Sequence, residues 1–177
     1  MTILRWREET GPGIQHIFLR PLDGGLVADG FAIGSDPFAT RFRIEIDRAW
    51  QARRVEVALA GGEMLLLESD GRGCWRVGGR PAPELDGALE PDISITPFTN
   101  TFPVRRLGLA RGESAEIRTA YVDVPSLAVS ADPQRYTCLQ EGRLYLYESL
   151  DSDFRREVSF GPDGFVATYP GLFRRLA

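Results

Sequence analysis

Hydrophobic and polar residues alternate along several segments of the chain. Residues 41–47 place charged side chains between three apolar ones, which are Phe42, Ile44 and Ile46, and residues 55–59 continue the pattern. A period of two puts the apolar side chains on one face of a β-strand and the polar side chains on the other. These segments are therefore predicted to be half-buried strands.

Glycine and proline mark the turns between these segments. They number 19 and 12 among 177 residues and are spread along the whole chain. Turn signals occur at residues 23–25, 34–37, 61–62, 70–71, 78–79, 111–112, 132–133, 141–142 and 161–164. Several lie about 8–12 residues apart, which is the strand spacing of a sandwich or barrel. Residues 160–165 give the clearest hairpin, because Pro162 presets one turn dihedral angle and Gly164 accepts a left-handed one.

Helix is predicted only in short pieces. Thr96 is a candidate N-cap and Pro97 suits the first helical position. Pro103 disfavours helical geometry at the preceding residue, so the helix is expected to end there. Residues 47–51 are a second candidate for a single short helical turn.

Some predicted strands are apolar on both faces. In residues 143–148, Leu144 and Leu146 point one way while Tyr145 and Tyr147 point the other. A sheet with one face in water does not need this pattern. Two interpretations remain open: either protein covers both faces, or one face lines a cavity. Tyrosine suits a cavity wall, because it combines an apolar ring with a polar tip.

The composition excludes several kinds of chemistry. All 21 basic residues are arginine, so Schiff-base, pyridoxal and phosphate-loop chemistry, which depend on a lysine amine, are excluded. A single histidine, His16, excludes most histidine-based catalysis and multi-histidine metal sites. Cys74 and Cys138 cannot form a zinc site alone. We therefore expect no metal, no cofactor and, on balance, no enzymatic activity.

The length and charge indicate a single soluble domain spanning residues 1–177. The net charge of −4 favours neither nucleic acid nor an anionic membrane as a partner. The longest apolar runs are far too short to span a bilayer, and the N-terminal residues lack the apolar core of a signal peptide. A cytoplasmic protein with two reduced thiols is expected. The sequence does not indicate an oligomeric state.

Carboxylate pairs are the alternative source of chemistry, because glycoside hydrolysis needs no histidine. Asp92, Asp123 and Glu148 lie on predicted strands or at their ends, where a pairing is possible. An arginine from one of the Arg-Arg pairs could instead reach a carboxylate or an anionic ligand with a bidentate contact.

Several motifs resemble a known bacterial family. Residues 92–107 read DISITPFTNTFPVRRL, followed by AYVDVP at 120–125, QRYT at 134–137, YLYES at 145–149 and YPGLFRRL at 169–176. Trp6-Arg7 and Gly73-Cys74-Trp75 add to the match. The chain resembles the putative glycolipid-binding domain family over nearly its whole length. The resemblance implies a fold similar to the lipoprotein localisation factors, in which a curved antiparallel sheet forms a half-barrel around an apolar cavity. It implies no catalytic residues.

These observations together predict an all-β protein: a strongly curved antiparallel sheet that forms a half-barrel or barrel, with one or two short helical turns. The first functional hypothesis is non-enzymatic binding of an amphipathic ligand, a glycolipid or an acyl-chain lipid, in the concave apolar face. The alternatives are a carboxylate-dependent hydrolase or transferase acting on a sugar or lipid, and an interaction protein that uses its apolar sheet face. The candidate ligand-binding residues are Trp75, Arg105, Tyr121, Tyr136, Tyr145 and Tyr147.

Overall fold

The computed structural model describes residues 1–34 and 39–176, and most of the turn expected at residues 34–37 lies outside them. The first half of the chain forms eight strands: β1 Thr2–Glu8, β2 Ile14–Leu22, β3 Gly25–Ile33, β4 Ala39–Asp47, β5 Ala52–Leu59, β6 Met64–Ser69, β7 Trp75–Val77 and β8 Arg80–Pro81. The second half forms seven more: β9 Glu90–Ile93, β10 Ser114–Val122, β11 Val129–Gln140, β12 Leu144–Ser149, β13 Arg155–Phe160, β14 Val166–Tyr169 and β15 Phe173–Arg175. The described residues also form two 3₁₀ turns, Pro83–Leu85 and Pro97–Asn100, and one helix, α1 Thr101–Leu107.

All fifteen strands of the described residues belong to one sheet that is not closed. Its order is β8-β7-β6-β5-β4-β3-β2-β1-β15-β14-β13-β12-β11-β10-β9, so two meanders meet where β1 pairs with β15. Every pairing is antiparallel except that of β9 with β10. Strands account for 56% of the chain and helical residues for 8%, which confirms the all-β prediction. No helix among the described residues is long and apolar enough to cross a membrane.

Hydrophobic residues of the inner sheet face form the core. The alternation in β4 is confirmed, because Phe42, Ile44 and Ile46 are all buried. The Phe42 ring lies directly over Gly30 of β3, where a Cβ atom would stand 2.1 Å from the ring. Trp6 of β1 is fully buried, and its Nε1 donates to the carbonyl of Val166 at 2.8 Å. The core therefore joins strands from both meanders.

The segment 97–107 packs against the concave side of the sheet. Phe98 and Phe102 are fully buried, and their ring centroids are 5.8 Å apart in an edge-on arrangement. The Phe98 ring also stacks on Phe165, with centroids 5.9 Å apart. The sequence left open whether the interior of the curved sheet is empty or filled. Phe98 and Phe102 fill part of it, and a pocket of about 430 Å³ remains open.

The short helix differs in part from the prediction. Thr96 is the N-cap of the 3₁₀ turn, with its hydroxyl accepting the backbone N–H of Phe98 at 3.3 Å, and Pro97 opens the turn as expected. The expected stop before Pro103 is wrong, because a second helix begins at Thr101 and runs to Leu107. Pro103 falls in the first turn of that helix, where its missing N–H breaks no intrahelical hydrogen bond.

Two further local predictions can be compared with the structure. The hairpin at residues 160–165 is confirmed: Gly161 donates to the carbonyl of Phe165 at 2.8 Å, and Gly164 has a φ of 77°. Residues 47–51 form no helix. They make the turn between β4 and β5, where the Asp47 carboxylate accepts the N–H groups of Ala49 and Gln51.

The strands predicted to be apolar on both faces have one fully buried face. Tyr145 and Tyr147 of β12 point into the interior and are buried, whereas Leu144 and Leu146 on the opposite face are half-buried. On β2, Ile17 and Leu19 are in the core, while Ile14 on the outer face is 45% exposed.

The contact between Gly30 and Phe42 can be tested with an alanine substitution. Gly30→Ala should lower the free energy of unfolding by about 1–3 kcal/mol, because the new methyl group overlaps a buried ring that has no room to move. Gly62→Ala is the matched control, since its nearest neighbour would be 3.5 Å from the added Cβ. The measurement is urea unfolding of both variants. Equal midpoints for the two variants would contradict this packing.

Candidate functional site

A polar pocket of about 430 Å³ lies beside the segment 97–107, with Thr96 and Asn100 in its wall. Strands β9 to β12 and β14 supply half of its sixteen lining residues. The wall contains three carboxylates, Asp92, Asp132 and Asp151; five rings, Tyr121, Tyr147, Phe154, Tyr169 and Phe173; and four serine hydroxyls, those of Ser94, Ser130, Ser149 and Ser152. We call this space the polar pocket.

Sheet register brings these side chains together. Asp92 of β9 is the partner of Tyr121 in β10, and Tyr121 is the partner of Ser130 in β11. Asp132 follows two residues after Ser130, so its side chain lies on the same face of the strand. The aligned ends of three neighbouring strands therefore place carboxylate, phenol and hydroxyl groups side by side.

Two carboxylates share one amide donor. Gln134 Nε2 donates to Asp92 Oδ2 at 2.8 Å and to Asp132 Oδ2 at 2.6 Å. Burial raises the pKa of Asp92 and of Asp132 above their ordinary values, although the hydrogen bonds from Gln134 act in the opposite direction. The two acids therefore hold their protons more tightly than exposed aspartates do.

The 3₁₀ turn Pro97–Asn100 holds the Asp92 carboxylate in position through Thr99. Thr99 Oγ1 donates to Asp92 Oδ1 at 2.9 Å, and the same hydroxyl accepts the N–H of Ile93 at 3.3 Å. Both oxygens of Asp92 thus have a donor from the protein. The segment that fills part of the sheet interior also supports the carboxylate at the pocket wall.

The tyrosines form a connected aromatic wall. The Tyr147 ring lies edge-on to Tyr136 and to Tyr169, with centroids 5.4 Å and 6.1 Å away. Tyr136 is fully buried behind the wall, and its hydroxyl accepts from Asn100 Nδ2 at 2.9 Å. Burial raises the pKa of Tyr121, Tyr147 and Tyr169. These phenols stay protonated at neutral pH and can donate hydrogen bonds.

The pocket wall is acidic and carries no cation. Arginine and histidine are absent from the described residues that line it. Arg156 lies behind Phe154, with its Cζ 4.7 Å from the ring centroid, and does not reach the wall. The described residues also contain no group of three or more side chains that could hold a metal ion.

The six candidate residues from the sequence occupy different places. Tyr121 and Tyr147 line the polar pocket, and Tyr136 supports it from behind. Tyr145 and Arg105 line a separate space of about 380 Å³ near Phe160, and the Arg105 guanidinium lies over the Trp50 ring at 4.1 Å. Trp75 is in the core, where its Nε1 donates to the carbonyl of Ala88 at 2.7 Å.

The three carboxylates that the sequence offered as candidates do not lie together in the structure. Only Asp92 lines the polar pocket, while Glu148 lies 3.8 Å from Arg135 and Asp123 accepts a hydrogen bond from Ser126. Sequence reasoning missed Asp132, because the turn expected at residues 132–133 is wrong: β11 runs straight through it. Pro133 pairs with Arg118 of β10, whereas the pairing of β11 with β12 begins only at Gln134. A strand tolerates proline at a position such as Pro133, which has a neighbouring strand on one side only.

Comparisons with known proteins identify a family and a similar crystal structure. The family described as "Putative glycolipid-binding" matches residues 3–175, and the chain belongs to that family. The chain is similar to a DUF1089 family protein from Pseudomonas aeruginosa of known crystal structure. The two are 38% identical with a TM-score of 0.81, over 97% of this chain and 95% of that one. The curated proteins include no match.

The buried charge at Asp132 predicts a pH-dependent effect on stability. The raised pKa means that ionising this carboxyl costs more in the folded protein than in the unfolded chain. Asp132→Asn should therefore raise the urea midpoint at pH 7.5, because the amide keeps the hydrogen bond from Gln134 without the charge. The gain should disappear as the pH falls through the raised pKa toward the ordinary value of 3.8.

Asp153→Asn is the control for the change in net charge, since Asp153 is exposed. A variant Asp132→Asn that unfolds at lower urea than the unmodified protein at pH 7.5 would show that the carboxylate stabilises the fold.

Proposed function

We propose that the protein binds the uncharged sugar head group of a glycolipid in the polar pocket. The observation that carries the proposal is the composition of the wall: carboxylates, phenols and hydroxyls around aromatic rings, without an arginine among the described lining residues. Membership of the family described as glycolipid-binding supports the same ligand class. The protein acts as a binder and not as a catalyst in this proposal.

Carboxylates suit sugar hydroxyls because each oxygen accepts more than one hydrogen bond. Asp132 uses one hydrogen bond from Gln134, which leaves lone pairs for a ligand hydroxyl. Hydrogen bonds to a charged acceptor are stronger than neutral ones. A phosphate, sulfate or carboxylate head group would instead meet like charge from Asp132 and Asp151. The wall therefore favours a neutral or cationic head group over an anionic one.

The aromatic rings suit the other surface of a sugar. Tyr121, Tyr147 and Phe154 line the pocket next to the polar groups. The C–H face of a pyranose ring can pack against such rings while its hydroxyls point to the carboxylates. Binding sites for small molecules combine apolar walls and a few placed polar groups in this way.

A panel of small ligands tests the head-group assignment. Saturation-transfer NMR and calorimetry with methyl glycosides of glucose, galactose, mannose and N-acetylglucosamine should detect binding of at least one sugar. Glucose 6-phosphate should bind more weakly than the matching methyl glycoside, because of like-charge repulsion. Tighter binding of the phosphorylated sugar would contradict the proposal.

The variant Asp132→Asn identifies the site. It should weaken binding of the preferred sugar about tenfold to a hundredfold, the cost of one hydrogen bond to a charged group. Because the same variant should be more stable at pH 7.5, lost binding cannot be explained by unfolding. Asp153→Asn should bind as the unmodified protein does. Full affinity in Asp132→Asn would place the sugar elsewhere.

A second candidate function rests on the shared donor of Asp92 and Asp132. Since both Oδ2 atoms accept from Gln134 Nε2, they cannot be farther apart than the about 5–5.5 Å that separates the carboxylates of retaining glycosidases. In such a reaction, Asp92 would protonate the leaving oxygen while Asp132 attacks the anomeric carbon. Water would then cleave the glycosyl ester, with Asp92 accepting its proton.

Nitrophenyl glycosides distinguish this function from binding alone. If the pair is catalytic, Asp132→Asn abolishes release of nitrophenolate, and Asp123→Asn and Glu148→Gln, whose side chains lie outside the polar pocket, leave it unchanged. Absence of turnover in the unmodified protein, for every sugar that it binds, would rule out this second function.

A further inference from the structure

A second, smaller cavity of about 150 Å³ lies beside the polar pocket. Ser94 and Phe173 belong to the walls of both spaces, so the two are neighbours. The cavity lies where the ends of β2 and β3 meet the residues that follow β9 and β10. It is narrower and more enclosed than the polar pocket.

Six of the eleven residues that line this cavity have apolar side chains: Ile14, Ala32, Ile33, Ile95, Val124 and Phe173. Glu8, Gln15, Thr40 and Ser94 are the polar ones. This composition contrasts with the carboxylates and hydroxyls on the other side of Ser94. The share of apolar side chains is therefore higher in this cavity than in the polar pocket, which suits the less polar part of an amphipathic molecule.

One buried polar atom in this cavity has no partner. Gln15 is 4% exposed and lines the cavity, and its Nε2 donates to the carbonyl of Ile95. That bond fixes the amide so that Oε1 is the free acceptor, and Oε1 has no hydrogen bond. A buried acceptor without a donor destabilises a protein. A ligand hydroxyl or amide N–H at this point would satisfy it.

We propose that this apolar cavity holds the first part of the alkyl chain of the same ligand, with Gln15 Oε1 accepting a hydrogen bond from its linkage region. The inference rests on the proposed function, since it assumes that the head group occupies the polar pocket. The ligand class is then a neutral glycoside that carries a hydrogen-bond donor near the linkage and an unbranched hydrocarbon chain. A cavity of about 150 Å³ is the size that holds a benzene ring, so it accommodates on the order of six carbon atoms.

The surface next to the cavity continues its apolar character. Ile14 and Ile33 are cross-strand partners at the ends of β2 and β3, and they are 45% and 59% exposed. They line the cavity with part of their surface and leave the remainder uncovered. A chain longer than about six carbons would leave the cavity across this pair.

A chain-length series tests the inference with defined probes. Methyl, butyl and hexyl β-glycosides of the sugar preferred in the head-group panel should bind with affinities that rise about fourfold per methylene group. The gain per methylene should fall once the cavity is full, near six carbons. Calorimetry with monomeric glycosides, below the concentration at which they form micelles, measures the series.

A charged residue at Ile33, where the alkyl chain would leave the cavity, tests the position of the chain against a matched control. Ile33→Asp should remove most of the gain from butyl to hexyl while leaving the affinity for the methyl glycoside within about twofold. Ile3→Asp introduces the same charge at an exposed isoleucine on the outer face of β1, and it should keep the full gain. Ala32→Leu, which fills the cavity from inside, should repeat the effect of Ile33→Asp, with circular dichroism confirming that each variant is folded.

The outcomes separate the two proposals. If the methyl glycoside binds but the affinity does not depend on chain length, the cavity is not an alkyl site, and the head-group assignment stands. If Ile3→Asp abolishes the chain-length gain and Ile33→Asp does not, the alkyl chain runs past Ile3 of β1 and not through the cavity, and the inference is wrong. If no glycoside of any chain length binds, both proposals fail.

Discussion

The packing of residues 97–107 into the curved sheet is the interaction on which the rest of the structure depends. A sheet with one apolar face must bury that face, and Phe98 and Phe102 cover it from the concave side. The same segment carries Thr99, which holds Asp92, and Asn100, which binds the Tyr136 hydroxyl. One short piece of chain therefore completes the core and supports the wall of the site.

The site differs in character from the core that surrounds it. Buried carboxylates at Asp92 and Asp132 have raised pKa values, which means that the fold loses stability by holding them where they are. The Gln15 acceptor without a partner has the same implication. Packing alone does not require such groups. Unfavourable polar groups that cluster around connected spaces are typical of sites built to contact something other than the protein itself.

The sequence predicted local structure better than the assembly of the site. Alternation identified β4 and β5, and the hairpin at residues 160–165 followed from proline and glycine chemistry, because these signals depend only on neighbouring residues. Tyr121 and Tyr147 were candidate ligand-binding residues and line the polar pocket, since aromatic residues on a buried face carry a visible pattern. Asp132 and Gln134 were missed, because their role depends on the register of β11 against β10 and β12. Pro103 was misjudged because nothing local shows that a new helix begins at Thr101.

The pairing of β1 with β15 has a consequence for how the chain can be cut and rejoined. It brings Trp6 opposite Arg175, whereas the two edge strands of the sheet, β8 and β9, follow one another along the chain. A circular permutant of residues 1–177 that linked residue 177 to residue 1 and opened the chain at residues 86–88 would make β1 and β15 sequence neighbours. The loop that this pairing closes now spans nearly the whole chain, and in the permutant it would shrink to a short connection. Its closure would then cost far less chain entropy. In the present strand order, the two meanders are joined by the pairing of β1 with β15, which are distant in sequence. In the permuted order the same pairing would be a local contact.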